Sequence, residues 1–190
     1  VNGTNYFRNT KIELWFLRCL HNKHDLATFR AAAVTTGIND VTSRKTPTTC
    51  HPEVEKDVRA LEQRAYDARI PAMIASYFSE VAGIFGIIRN HLTPRATVAI
   101  DIGDSSYAGV HVPSDHLLTV CLQDLGYGLS QEIVLRRRKS RSGTPLKQSL
   151  LVFEYHQPRQ SRWVTETQQF WGFGWETFKE RLPHQRQPYA

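Results

Sequence analysis

Two short stretches of the chain hold the residues best suited to chemistry. The first is Asp101-Ile102-Gly103-Asp104-Ser105-Ser106, with Tyr107 after it. Two carboxylates, two hydroxyls and a phenol sit at the end of a short β-branched, mostly apolar run that begins at Thr97. A buried strand that opens into a Gly- and acid-rich turn is where α/β sheets place their ligands. The second stretch is Arg136-Arg137-Arg138-Lys139-Ser140-Arg141, five cations within six residues. Phosphate groups offset their mutual repulsion through charge-assisted hydrogen bonds, bidentate where Arg is the donor. Each phosphate neutralised releases counterions and makes binding salt-dependent, and an Arg here can also reach guanine in the major groove. The plain alternatives are a strand-to-helix connection for the first stretch and a solvated charge run for the second.

A third group opens the chain: Asn2, Asn5, Tyr6 and Arg8, directly before a helical pattern. Two amides, an aromatic ring and a cation can hydrogen-bond and stack on a base; they can equally cap a helix. Asp101-x-Gly103-x-Ser105 is similar to the phosphate turn of actin-like ATPases. That turn leads into a β-hairpin, whereas the sequence here reads through Pro113-Ser114 into a helix. Cys19, His21 and His24 are close in sequence but lack further ligands, so no metal site is expected. The chain contains no P-loop and no G-x-G-x-x-G.

The cation run belongs to an uneven charge distribution. The net charge is +6. From Arg136 to Ala190 there are 11 Lys/Arg against 4 Asp/Glu, while residues 1–135 hold 13 against 14. A localised basic excess suits a polyanion such as double-stranded DNA. Hydrophobic residues at 41% and charged residues at 22% exclude wholesale disorder in 190 residues. No uninterrupted apolar run reaches the ~18 residues of a membrane span, so no membrane partner is expected. The three cysteines lie 31 and 71 residues apart, which fits neither a disulfide scaffold nor a metal knuckle and points to a reducing, cytoplasmic setting.

The elements that must position these groups can be traced by periodicity. Ile12, Trp15, Phe16, Cys19 and Leu20 mark an amphipathic helix over 7–20. Residues 34–52 read as a long polar loop. Pro52 opens a helix with Glu53, Glu55 and Asp57 at its positive end, and Pro71 interrupts or kinks it. Met73, Tyr77, Val81, Ile84, Phe85 and Ile88 continue a helical face. Thr97–Gly103 reads as a buried strand, 104–113 as a loop, and Ser114 as the cap of a helix that Gly126 closes. Ile133–Leu135 starts another strand, 136–145 is a basic loop, and Ser149–Tyr155 is the last strand, able to pair with its predecessor as an antiparallel hairpin. Residues 156–190 turn to Gln, Arg, Pro and aromatics, including Trp163, Trp171 and Trp175.

Together these pieces resemble a known family. Val1-Asn2-Gly3-Thr4-Asn5-Tyr6-Phe7-Arg8-Asn9-Thr10-Lys11-Ile12-Glu13-Leu14-Trp15 is similar to the segment directly after the catalytic Ser/Asp/Asn-Pro-Pro-Tyr tetrapeptide in DNA amino-methyltransferases. These enzymes use S-adenosylmethionine to methylate cytosine N4 or adenine N6. Tyr77-Phe78 through Leu92-Thr93-Pro94 to Val98–Gly103 resembles their fourth helix and fifth strand, with Thr93-Pro94-Arg95-Ala96 where the family often has Lys-Pro-Gly-Gly. Leu125-Gly126-Tyr127 resembles their Gly-Phe/Tyr, and the last two strands look like their closing hairpin.

The resemblance implies an α/β fold. It would be a partial Rossmann-like methyltransferase sheet, strands five to seven with flanking helices, ending in an antiparallel hairpin and an irregular aromatic arm. Residues 1–155 would be the substrate-side half, and 156–190 a linker or arm leading to a missing partner domain. The catalytic tetrapeptide would lie just before Val1 and the Gly-rich cofactor turn on a missing segment or second polypeptide, making the chain a fragment inactive alone. Asn2, Asn5, Tyr6, Asp104, Ser105 and Tyr107 would surround the base pocket, and Arg8, Arg136, Arg137, Arg138, Lys139 and Arg141 would hold the DNA. The setting would be cytoplasmic, at the nucleoid of a prokaryote or phage-infected cell. The rival expectation is a non-enzymatic DNA-binding module that uses the basic hairpin 136–141.

Overall fold

Five helices and five strands are built over residues 6–41 and 50–156, which are the residues that the computed structural model describes. Asn2, Asn5 and the arm from 157 onward lie outside them. The helices are α1 (Tyr6–Phe16), α2 (Lys23–Ala32), α3 (Pro52–Arg64), α4 (Arg69–Ile88) and α5 (Ser114–Asp124). The strands are β1 (Thr97–Gly103), β2 (Ser105–Tyr107), β3 (Val110–Val112), β4 (Tyr127–Lys139) and β5 (Pro145–Tyr155).

The main sheet has the order β1-β5-β4, and β5 is antiparallel to both neighbours. β1 and β4 are therefore parallel, joined through α5, with the last strand slotted between them. Gly103 and Arg136 both stand opposite Gln148, so the carboxyl end of β1 lies level with Arg136, and β4 runs on past it to Lys139. Leu151 and Phe153 are fully buried and share a face with their β1 partners Ile100 and Val98. Leu117, Leu118, Cys121, Leu122 and Leu125 of the α5 segment join the same core. The opposite sheet face carries Ala99, Asp101 and Ile133, all exposed. The chain is thus mixed α/β around a small antiparallel sheet.

α3 begins on Pro52 as its composition predicts, with the His51 ring accepting from the Glu53 N–H at 3.1 Å. Val54 and Leu61 are its buried residues. The break before α4 falls at residues 65–68, and Pro71 sits inside the first turn of α4, where its missing N–H costs nothing. α4 is buried on more than one side, including Ile70, Ile74, Phe78 and Ala82 besides Met73, because it packs against both α3 and α5. Together with the short turn to His91, α4 is long and apolar enough to cross a bilayer by length and composition, contrary to the expectation that no stretch would be; most of it is buried in the protein.

Several expected boundaries move. The basic residues Arg136–Lys139 are strand, not loop: β4 runs on to Lys139, and the turn is only Ser140–Thr144. β4 pairs along one edge and its side chains are exposed from Ser130 to Lys139, so water solvates the cations in the extended form. The expected loop 104–113 contains the small β2–β3 hairpin, which forms its own sheet. Pro113, not Ser114, occupies the cap position of α5; Ser114 Oγ donates back to the Val112 carbonyl at 3.4 Å. Gly126 does close that helix, at φ +93°. α2 falls where no helix was expected, held by a capping box in which Asn22 accepts from His24 and Asp25 N–H groups and Asp25 returns the bond. α1 stops at Phe16, and its apolar residues Ile12, Trp15 and Phe16 are exposed.

Candidate nucleic-acid interface and buried acid pair

The carboxyl ends of β1 and β4 bring the two sequence-predicted clusters together. Asp104 follows the last residue of β1, and its N–H donates to the Lys147 carbonyl of β5 at 2.9 Å. Its own carbonyl accepts from Arg138 Nη2 of β4 at 3.0 Å. A cavity of about 440 Å³ opens at this corner, lined by Asp104, His111, Arg137, Arg138, Lys139 and Lys147, among others. Arg137 and Lys139 make no ion pair among the described residues. Arg136 and Arg141 are exposed on the same hairpin but outside the cavity wall.

The Asp104 carboxylate is 2% exposed. Its Oδ2 lies 3.0 Å from His111 Nε2, which β3 carries back across the small hairpin. Its Oδ1 meets no donor among the described residues. Asp115, in the first turn of α5, is near enough for its charge to act on Asp104. Burial pushes the Asp104 carboxyl up, and the Asp115 charge adds to the rise against the pull of His111. Burial also raises Asp115, but the Lys147 ammonium at 2.6 Å and the His116 N–H outweigh it and hold Asp115 low. The two neighbouring carboxyls are thus pushed in opposite directions, Asp104 up and Asp115 down.

Lys147 is the hub behind the cavity. It bonds Asp115 and, at 2.8 Å, Glu132 of β4, and both partners drive its pKa upward. Ser149 donates to Glu132 at 3.0 Å. Polar contacts therefore join half-exposed His111 to Asp104, and Lys147 to Asp115 and Glu132, tying β3, α5, β4 and β5 at one corner. The turn beyond is stiffened by Ser140, Ser142 and Thr144: Thr144 N–H donates to Ser140 Oγ at 2.9 Å, and Gly143 takes φ +85°.

Of the expected site residues, Asp104 and Ser105 are buried beside the cationic strand end. Tyr107 is partly buried in β2; burial raises its phenol and a Ser105 hydrogen bond pulls it back. Arg137, Arg138 and Lys139 meet Asp104 at the cavity, while Arg136 and Arg141 flank it. Tyr6 and Arg8 lie in α1. The sequence reading missed His111, Asp115, Lys147 and Glu132. Only Asp115 left a local trace, as an acid in the first turn of a helix.

Among the described residues no cluster of His, Cys, Asp and Glu could hold a metal ion. No protein-family model matches the chain, and no curated protein or solved structure matches it either.

Proposed function

We propose that the chain is the substrate-side half of a DNA amino-methyltransferase that takes its methyl group from S-adenosylmethionine, and that it holds duplex DNA through β4. The observation that supports this reading most is the meeting of the carboxyl end of β1 with the last residues of β4. There buried Asp104 and the cations Arg137, Arg138 and Lys139 line one crevice, the position α/β sheets use for ligands. The closing hairpin expected from the resemblance is also present, β4 with β5.

In this reading Arg136–Arg141 grip backbone phosphates and set the register of the duplex. The target base leaves the stack, because its exocyclic amine cannot be reached inside it. Asp104, whose carboxyl burial pushes up, and Tyr107 would line the neighbouring strand edge. Bound cofactor would supply the electrophilic methyl group. The chain has no Gly-rich turn of the type the resembled family uses for that cofactor.

The reading is tested with the complete reading frame that contains this chain. It is incubated with duplex DNA and S-adenosylmethionine labelled on the methyl group, and the DNA is digested to nucleosides. N4-methylcytosine or N6-methyladenine is expected. Arg136→Ala, Arg137→Ala and Arg138→Ala together should reduce the slope of log affinity against log salt by about 2–3. Salt-dependent DNA binding without methyl transfer would leave the rival, a non-enzymatic DNA-binding module. An unchanged salt slope would remove β4 from the interface.

A further inference from the structure

A diffuse basic strand would use all of its cations about equally, and the geometry argues against that here. Arg137 and Lys139 line a cavity, and Arg138 forms its wall, held in place by the Asp104 carbonyl at 3.0 Å. Lys147 lines it too, but its charge is committed to Asp115 and Glu132. Among the described residues Arg137 and Lys139 therefore remain without acidic partners at a site that Asp104, 2% exposed, also lines. A volume of about 440 Å³ falls in the ~300–1,000 Å³ range of small-molecule sites. It holds more than a bare phosphate: there is room for the sugar that the phosphate esterifies.

We propose that this cavity is a discrete seat for one phosphate ester group, recognised by Arg137 and Lys139 and walled by Arg138. The half-exposed imidazole of His111 stands at its mouth, backed by Asp104 Oδ2 at 3.0 Å, and adds a ring N–H donor. The inference rests on the DNA reading only for whose phosphate is bound; a backbone phosphate and a free nucleotide share the chemistry.

The test uses the full 190-residue chain, three probes and four variants. The probes are inorganic phosphate, thymidine monophosphate and a 20-base-pair duplex. The variants are R137A, K139A, R136A and R141A. All four side chains are exposed, so folding is not at stake. As an independent readout, amide and ring signals of Gly103 and His111 are followed by NMR during phosphate titration of the unaltered chain. R137A and K139A should each weaken phosphate-ester binding about 10-fold, the size of one charge-assisted hydrogen bond. R136A and R141A should change binding of inorganic phosphate and thymidine monophosphate less than 2-fold. If phosphate displaces the duplex, the seated group is a backbone phosphate. If R137A and K139A lose thymidine monophosphate but not duplex, the seat serves a free nucleotide. Equal losses across the four variants, or unmoved Gly103 and His111 signals, would overturn the seat and leave DNA binding by β4 intact. Seated phosphate with no duplex binding at all would do the reverse.

Discussion

Replacing Lys147 by Ala takes the ammonium from Asp115 and Glu132 in one step. Asp115 is 3% exposed and would be left beside Asp104 with no cation. Removing one partner of a buried ion pair costs about 3–5 kcal/mol. Lys147 and Glu132 are each about one-third exposed, so water replaces part of the lost interaction, and the expected cost is about 2–3 kcal/mol. For a chain of this length that lowers Tm by about 4–12 °C. Lys147→Met keeps the apolar stem and separates lost packing from lost charge. Asp115→Asn should restore the Lys147→Ala variant, because no buried charge then lacks a partner. The coupling between the two sites should reach about 1.5 kcal/mol. Acidity offers a second axis. Asp115 is held low in the folded chain, so its stabilising contribution is present above the ordinary carboxylate range and is lost as pH falls through its lowered folded value. Without Lys147 that hold disappears, and burial raises Asp115; the variant's deficit should then shrink as the solution is acidified below about pH 5. Thermal and urea unfolding at pH 7 and pH 4.5 measure all of this. A loss below about 1 kcal/mol, or additive single and double variants, would refute the network.

Three further outcomes are expected. Asp104 is raised in the folded chain, so folding favours its protonated form: stability gained there is present below its folded value and falls as pH rises through it. Asp104→Asn should flatten that slope in pH-dependent unfolding, and an unaltered slope counts against the assignment. Glu80 is buried in α4 and accepts from the Thr35 N–H at 2.6 Å and Oγ1 at 2.8 Å. Glu80→Ala should cost about 2–4 kcal/mol and speed amide hydrogen exchange at Thr35, whereas an undisturbed Thr35 amide would show the bond to be dispensable. Cys19 is exposed, Cys50 is partly buried with its thiol pushed up to about 11, and Cys121 is buried. A neutral aromatic disulfide at pH 8 should therefore label Cys19 first and Cys121 only on unfolding; prompt reaction of all three would contradict the packing.

Local patterns were legible where one residue type dominated a short window. Thr97–Gly103 is strand because β-branched residues sit where one sheet face is buried, and Pro52 with the acids after it opens α3 as expected. The cation run misled because repulsion between neighbours reads as loop. On a strand successive side chains alternate faces, and an edge position lets each reach water. The three-residue strands β2 and β3 are too short to leave a period. Asp104 was visible from its turn, but its partners His111, Arg138 and Lys147 lie 7, 34 and 43 residues away and meet it only through tertiary pairing. The helix expected over 7–20 stops at Phe16, so Cys19 and Leu20 fall outside it, and Trp15 on its apolar side is 60% exposed.

The three-stranded sheet has two outer edges without partners among the described residues, and they are chemically unlike. The outer edge of β4 carries Arg136–Lys139, while that of β1, Thr97–Gly103, carries a single charge at Asp101. Two copies meeting edge to edge along β4 must press cation against cation, which dilute salt forbids and concentrated salt screens. Along β1 the barrier is slight. One permissive edge ends in a closed pair; two permit an open filament. Ionic strength should thus decide whether any edge-to-edge association of this sheet would stop at two copies.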